Sequence, residues 1–146
     1  MKELILSREV YLEHNRLINQ IIGAAIEVHK ELGPGLSVDV YESCLKTELE
    51  NRRLQVYTHI DLPVIYKGNP TGGTFHIDMI VEDKIIVDLL CVDAILPVHE
   101  AQLASKLRLA SKAIGLTINF NVPLLKDGVK RKMNARVESD DPSISY

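Results

Sequence analysis

The spacing of apolar positions changes along this chain, and each change of period predicts an element. From Asn15 to Leu32, the residues Ile18, Ile22, Ala25, His29 and Leu32 recur every three or four positions. That is the stripe of an amphipathic helix. Gly33-Pro34-Gly35 ends it, because glycine suits the position past a helix and proline cannot continue one. A second helix is predicted from Ser37, a candidate N-cap, to about Arg53. Its buried stripe is Tyr41, Cys44, Leu45 and Leu49, and Glu42, Lys46, Glu48, Glu50 and Arg52 mark its wet side.

Beyond Leu54 the pattern becomes extended as far as Tyr66, with Pro63 pointing to an edge strand or a bulge. Lys67 to Gly73 is a turn by composition. From Thr74 to Asp93 apolar residues alternate with period two on either side of Glu82-Asp83-Lys84, which predicts two strands of a hairpin. A long helix follows Pro97, from about Val98 to Ile114. Leu103, Leu107, Ala110 and Ile114 form one row, and Val98, Gln102, Ser105 and Leu109 the next, so a broad buried face is expected. Gly115 should end this helix, Leu116 to Val122 reads as a strand, and Leu124 to Arg136 as an irregular strand or hairpin around Asp127-Gly128. The expected order is α-α-β-β-β-α-β, an α/β domain with a mixed sheet.

Length and composition agree with one ordinary globular domain: 146 residues, 46% hydrophobic and 25% charged. The expected division is a loosely attached helical lead-in at 1–14, one domain at 15–137 and a disordered tail at 138–146. No apolar run reaches the length of a membrane span, and the N-terminus does not read as a signal peptide, so the cytoplasm is expected. Cys44 and Cys91 share no metal-ligand spacing and read as small core residues. The histidines are scattered, and His29, on an apolar stripe, reads as a core residue.

The net charge of −3 does not announce a nucleic-acid binder, but its distribution is uneven. Lys106, Arg108, Lys112, Lys126, Lys130, Arg131, Lys132 and Arg136 crowd the last third, with Asp127 the one acid among them. Such a set is either a solvated surface or a phosphate-binding face. Within it, Lys106, Lys126, Lys130, Arg131 and Lys132 are the candidate nucleic-acid contacts.

The candidate chemistry lies in the hairpin. Asp78 and Asp88 each interrupt an apolar strand, where an unpaired carboxylate is costly. Two carboxylates at one point repel unless a proton or a cation stands between them, and a divalent metal with oxygen ligands is one answer.

The stretches IIGAAIEVHKELGPGL, DLPVIYKG, HIDMIVEDKIIVDL, LPVHEAQL and GLTINFNVPLLKDGVKR resemble the GxxExxY family of the PD-(D/E)xK nuclease superfamily, over roughly residues 15–132. The resemblance implies a restriction-endonuclease-like core, a mixed β-sheet flanked by helices. It also implies a metal site for Mg2+ or Mn2+ held by Asp78 and Asp88, with Gln102 completing the catalytic set. Two positions depart from the pattern: Val38 stands where the family has a helical Glu, and Leu90 where it has the catalytic Lys. Leucine offers neither charge nor proton. The expectation is therefore a catalytically impaired nuclease fold serving as a nucleic-acid or protein binding module. An active Mg2+- or Mn2+-dependent nuclease with a rearranged site is the alternative, and a structural homodimer subunit the third. Lys106, one helical turn beyond Gln102, is the best-placed lysine to replace the missing one.

Overall fold

The computed structural model describes residues 4–138, so the tail expected at 138–146 lies almost wholly outside the described residues. Its elements run β1 (Leu4–Leu6), α1 (Arg8–Leu32), α2 (Val38–Asn51), β2 (Val56–Tyr66), β3 (Asn69–Val81), β4 (Ile85–Leu90), α3 (Pro97–Ala110), β5 (Ile114–Asn119), a 3-10 turn (Leu125–Gly128), β6 (Val129–Met133) and β7 (Ala135–Val137).

Five strands form one mixed sheet in the order β2-β3-β4-β5-β6. The pairs β2/β3, β3/β4 and β5/β6 are antiparallel, and β4/β5 is parallel. A parallel neighbour needs a crossover connection, and α3 supplies it. The sheet separates two apolar clusters. The larger joins Ile18, Ile21 and Val28 of α1 and Tyr41, Leu45 and Leu49 of α2 to Met79, Val87, Leu116 and Ile118. The smaller packs Leu103 and Leu107 of α3 on Ile77, Ile80 and Ile86. This is the mixed sheet flanked by helices that the sequence leads one to expect.

Several boundaries differ. The first helix starts at Arg8, not near Asn15, capped by Ser7, whose hydroxyl accepts from Val10 N at 3.2 Å. Of the lead-in expected to be helical, the stretch from Arg8 belongs to α1, but Leu4–Leu6 form β1, which pairs in parallel with β7 and ties the two ends of the described chain together. Ser37 holds the N-cap conformation of α2 but its side chain makes no capping bond. The turn expected over Lys67 to Gly73 shrinks, because Asn69 already belongs to β3. The last helix ends at Ala110, since Ser111 turns left-handed with φ 55°, and Ile114 and Gly115 open β5 instead of closing the helix. Its buried face is narrow. Leu103 and Leu107 are buried, whereas Val98, Gln102 and Leu109 are exposed.

Other expectations hold. The β3–β4 turn falls at Glu82 and Asp83, both with positive φ. Gly33, with φ 66°, ends α1 and donates to His29 O at 2.8 Å. Pro63 adjoins a register shift in edge strand β2. His29 is a satisfied core histidine, its Nε2 2.8 Å from Val122 O. Tyr41 is fully buried, stacks on Phe120 at 4.5 Å between centroids, and its hydroxyl donates to Gly33 O. The bond ties the start of α2 to the end of α1, and the stack holds it against Phe120, just past β5.

Candidate active site

The β3–β4 ladder pairs Val81 with Ile85, Ile80 with Ile86 and Met79 with Val87, and goes no further. The next residues along it are Asp78 and Asp88, facing each other where the strands part. Leu89 N donates to Asp78 Oδ2 at 3.1 Å, so a side chain takes over a donor the ladder has released. The hairpin register alone thus brings the two acids together.

Asp88 is buried, and Lys106 Nζ donates to its Oδ1 at 2.9 Å. Lys106 is itself largely buried, with a side chain 20% exposed against 8% for Asp88. Burial pushes the Asp88 carboxyl above its usual range. Lys106 opposes that shift by hydrogen bond and charge, the Asp78 carboxylate adds to it, and His76 opposes it weakly. The lysine reaches inward because α3 lies close on the sheet. A Cβ at Gly115 of β5 would stand 2.8 Å from Leu103 Cδ1 and 3.0 Å from Ile86 O. The loop leading into α3 is also held, since the Asn119 side chain accepts from Val92 N at 3.0 Å and donates to Val92 O at 2.9 Å.

Of the other sequence candidates, Leu90 ends β4 two residues past Asp88. Gln102 lies exposed on α3, one turn before Lys106, and Val38 lies exposed in the first turn of α2.

The sequence reading missed a second cluster beside Asp78. In the β2–β3 ladder Thr58 faces Met79, Ile60 faces Ile77 and Asp61 faces His76, which sets His59 opposite Asp78. His59 Nε2 is 2.8 Å from Glu42 Oε2, and its Nδ1 is 3.3 Å from His76 Nε2. His76 Nδ1 is 2.9 Å from Asp61 Oδ1, and His76 Nε2 is 3.6 Å from Asp78 Oδ1. Glu42, expected on the wet side of α2, is instead largely buried, and its Oε1 has no hydrogen-bond partner among the described residues. The available signal was the pairing of two His-x-Asp steps, His59-Ile60-Asp61 and His76-Ile77-Asp78, on adjacent strands.

The basic residues do not gather on one face. Lys106 turns inward to Asp88. Along β6 the pleat sends alternate residues to opposite sides. Lys130 lies 3.8 Å from Glu100 of α3, whereas Arg131 donates to Asn15 Oδ1 of α1 at 2.7 Å. Lys132 shares the parity of Lys130, and Lys126 is exposed on the 3-10 turn.

Among the described residues no helix is long and apolar enough to cross a membrane. Residues 15–132 match a family model of the PD-(D/E)XK nuclease superfamily. No curated protein and no solved structure matches the chain.

Proposed function

Because the chain belongs to the PD-(D/E)XK nuclease superfamily, we propose that it is a divalent-metal-dependent DNA nuclease, of the GxxExxY type, whose lysine comes from α3. The observation that carries this reading is the 2.9 Å contact from Lys106 Nζ to Asp88 Oδ1. Leu90 removes the lysine from the strand, and the fold supplies one to the same acid from the helix packed over it. Glu42 likewise stands one helical turn beyond Val38 and brings a carboxylate to the strands beside Asp78.

Asp78 and Asp88 suit a hard cation. Both offer oxygen, they face each other, and Asp78 Oδ2 is oriented by Leu89 N. Mg2+ or Mn2+ is commonly held by one or two carboxylates with water completing the shell. When bound, the ion polarises a phosphoryl oxygen and lowers the pKa of a bound water. The chain's own residues do the rest. Lys106 counters the burial that favours the protonated form of Asp88. An ammonium has three donors, so two remain for a phosphate oxygen once Asp88 has one. A charge fixed in a dry site acts on developing negative charge without reorganising.

Plasmid cleavage in Mg2+ and in Mn2+ tests the reading. Asp78→Asn should abolish cleavage, and Lys106→Ala should lower it by roughly 10²–10⁴-fold. A fully active Asp78→Asn protein would sink it.

The same ion pair also favours a second reading. The Lys106 ammonium already gives Asp88 a counter-charge, so the fold serves as a nucleic-acid or protein binding module with no metal and no cleavage. In that case saturating Mg2+ or Mn2+ leaves the thermal midpoint unmoved. A bound ion at about 100 times its Kd would add roughly 2.7 kcal/mol.

A further inference from the structure

We propose that His59 and His76 hold a borderline divalent cation of the Zn2+ class, with Asp78 closing as the third protein ligand. This site adjoins the carboxylate pair and shares Asp78 with it, but it takes its other two donors from imidazole, and it stands whether or not the chain cuts DNA.

Hydrogen positions on the two rings decide where their lone pairs point. The outer nitrogens of the two rings, His59 Nε2 and His76 Nδ1, meet Glu42 Oε2 at 2.8 Å and Asp61 Oδ1 at 2.9 Å. An ionised carboxylate only accepts, so each outer nitrogen carries the hydrogen of its ring. In neutral rings the inner nitrogens, His59 Nδ1 and His76 Nε2, then present bare lone pairs to each other across 3.3 Å. Two facing lone pairs require a cation between them.

The geometry fits a metal. Zinc binds imidazole nitrogen at 2.0–2.1 Å, so two nitrogens on one tetrahedral ion stand about 3.3 Å apart. Ligating histidines almost always donate their second N–H to a carboxylate or carbonyl, which fixes the ring and raises its basicity. Here both rings do so, to carboxylates from α2 and β2. Asp78 spends Oδ2 on Leu89 N, while its Oδ1 lies 3.6 Å from His76 Nε2. Among the described residues no three His, Cys, Asp or Glu side chains are yet close enough around one point to hold an ion. Two nitrogens are set, and Asp78 must swing in to complete three.

His59 has a positive φ of 53° inside a strand, a left-handed conformation that a residue with a Cβ rarely adopts. The distortion is where this ring meets both Glu42 and His76. The rings remain open to solvent, 59% for His59 and 44% for His76, so an ion can enter. Two imidazoles select Zn2+, Co2+ or Ni2+ over Mg2+, which prefers oxygen. The rival occupant is a single extra proton shared by the rings.

Titration of the full chain with Co2+, whose visible spectrum reports coordination, followed by displacement with Zn2+, decides between them. One ion per chain with nitrogen ligation is expected. His59→Gln and His76→Gln should each weaken it at least tenfold. Glu42→Gln, a change that keeps the side chain's shape, should weaken it by about tenfold through the ring it orients. Asp88→Asn should leave it in place. Absence of binding by the natural chain would overturn the proposal in favour of the proton. So would binding indifferent to both histidines, or binding lost in Asp88→Asn as fully as in His76→Gln, which would place the ion at the carboxylate pair.

Discussion

Asp88 shows at the scale of one residue how burial and charge trade. Burial raises its pKa from the ordinary 3.8, and Lys106 restrains the rise. The folded state therefore holds its proton to higher pH than the unfolded chain does. A group of that kind costs stability as pH climbs through and above the unfolded pKa. Lys106 reduces the cost, which leads to a prediction for Lys106→Met. It should push Asp88 higher still and destabilise the fold by about 3 kcal/mol at neutral pH, as when one partner of a buried pair is removed. The loss should shrink near pH 4, where Asp88 in the variant is protonated. Urea unfolding at the two pH values checks this, and an equal loss at both would contradict it. The acids were legible in the sequence because they broke an apolar alternation. Lys106 was visible only through its spacing from Gln102. Its partner depended on how closely α3 approaches the sheet, which spacing does not encode.

That approach is a property of the elements. Gly115 of β5 lies under Leu103 of α3 with no room for a Cβ, because Ile86 O closes the other side. Gly115→Ala should cost about 1–3 kcal/mol by overpacking. It should also lift α3 enough to weaken the Lys106 contact, so cleavage should fall although position 115 touches neither acid. A calorimetric midpoint and a cleavage rate on the same variant test both halves. A lowered midpoint with cleavage at the natural rate would separate packing from positioning, whereas an unchanged midpoint would refute the close contact. The β3–β4 hairpin was legible because period two and a polar turn agree. The end of α3 was not, since the apolar residues from Leu107 to Leu116 satisfy a helix and a strand equally, and Ser111 decides by turning left-handed. The strands β1 and β7 have three residues each, too short for periodicity to reveal. Glu42 was misread because its partner, His59, comes from another element.

Across the whole molecule, the sheet order joins β4 and β5 in parallel and places α3 over them, which brings a residue from 18 positions away onto Asp88. The same pleat disperses the basic residues that look clustered in the sequence. If DNA lies along the α3 side, Lys130→Ala and Lys132→Ala should each reduce the salt dependence of binding by about one unit of slope. Arg131→Ala, on the α1 side, should not. Equal effects from all three would contradict the division of faces.

If α3 supplies the lysine that β4 lacks, moving that lysine from the helix to the strand should preserve function. Cleavage in Mn2+ would be compared for the natural chain, Lys106→Met, and Lys106→Met combined with Leu90→Lys. Activity is expected in the natural chain, loss in the single variant and recovery in the double. An inert natural chain, or a Lys106→Met protein that still cuts, would contradict it.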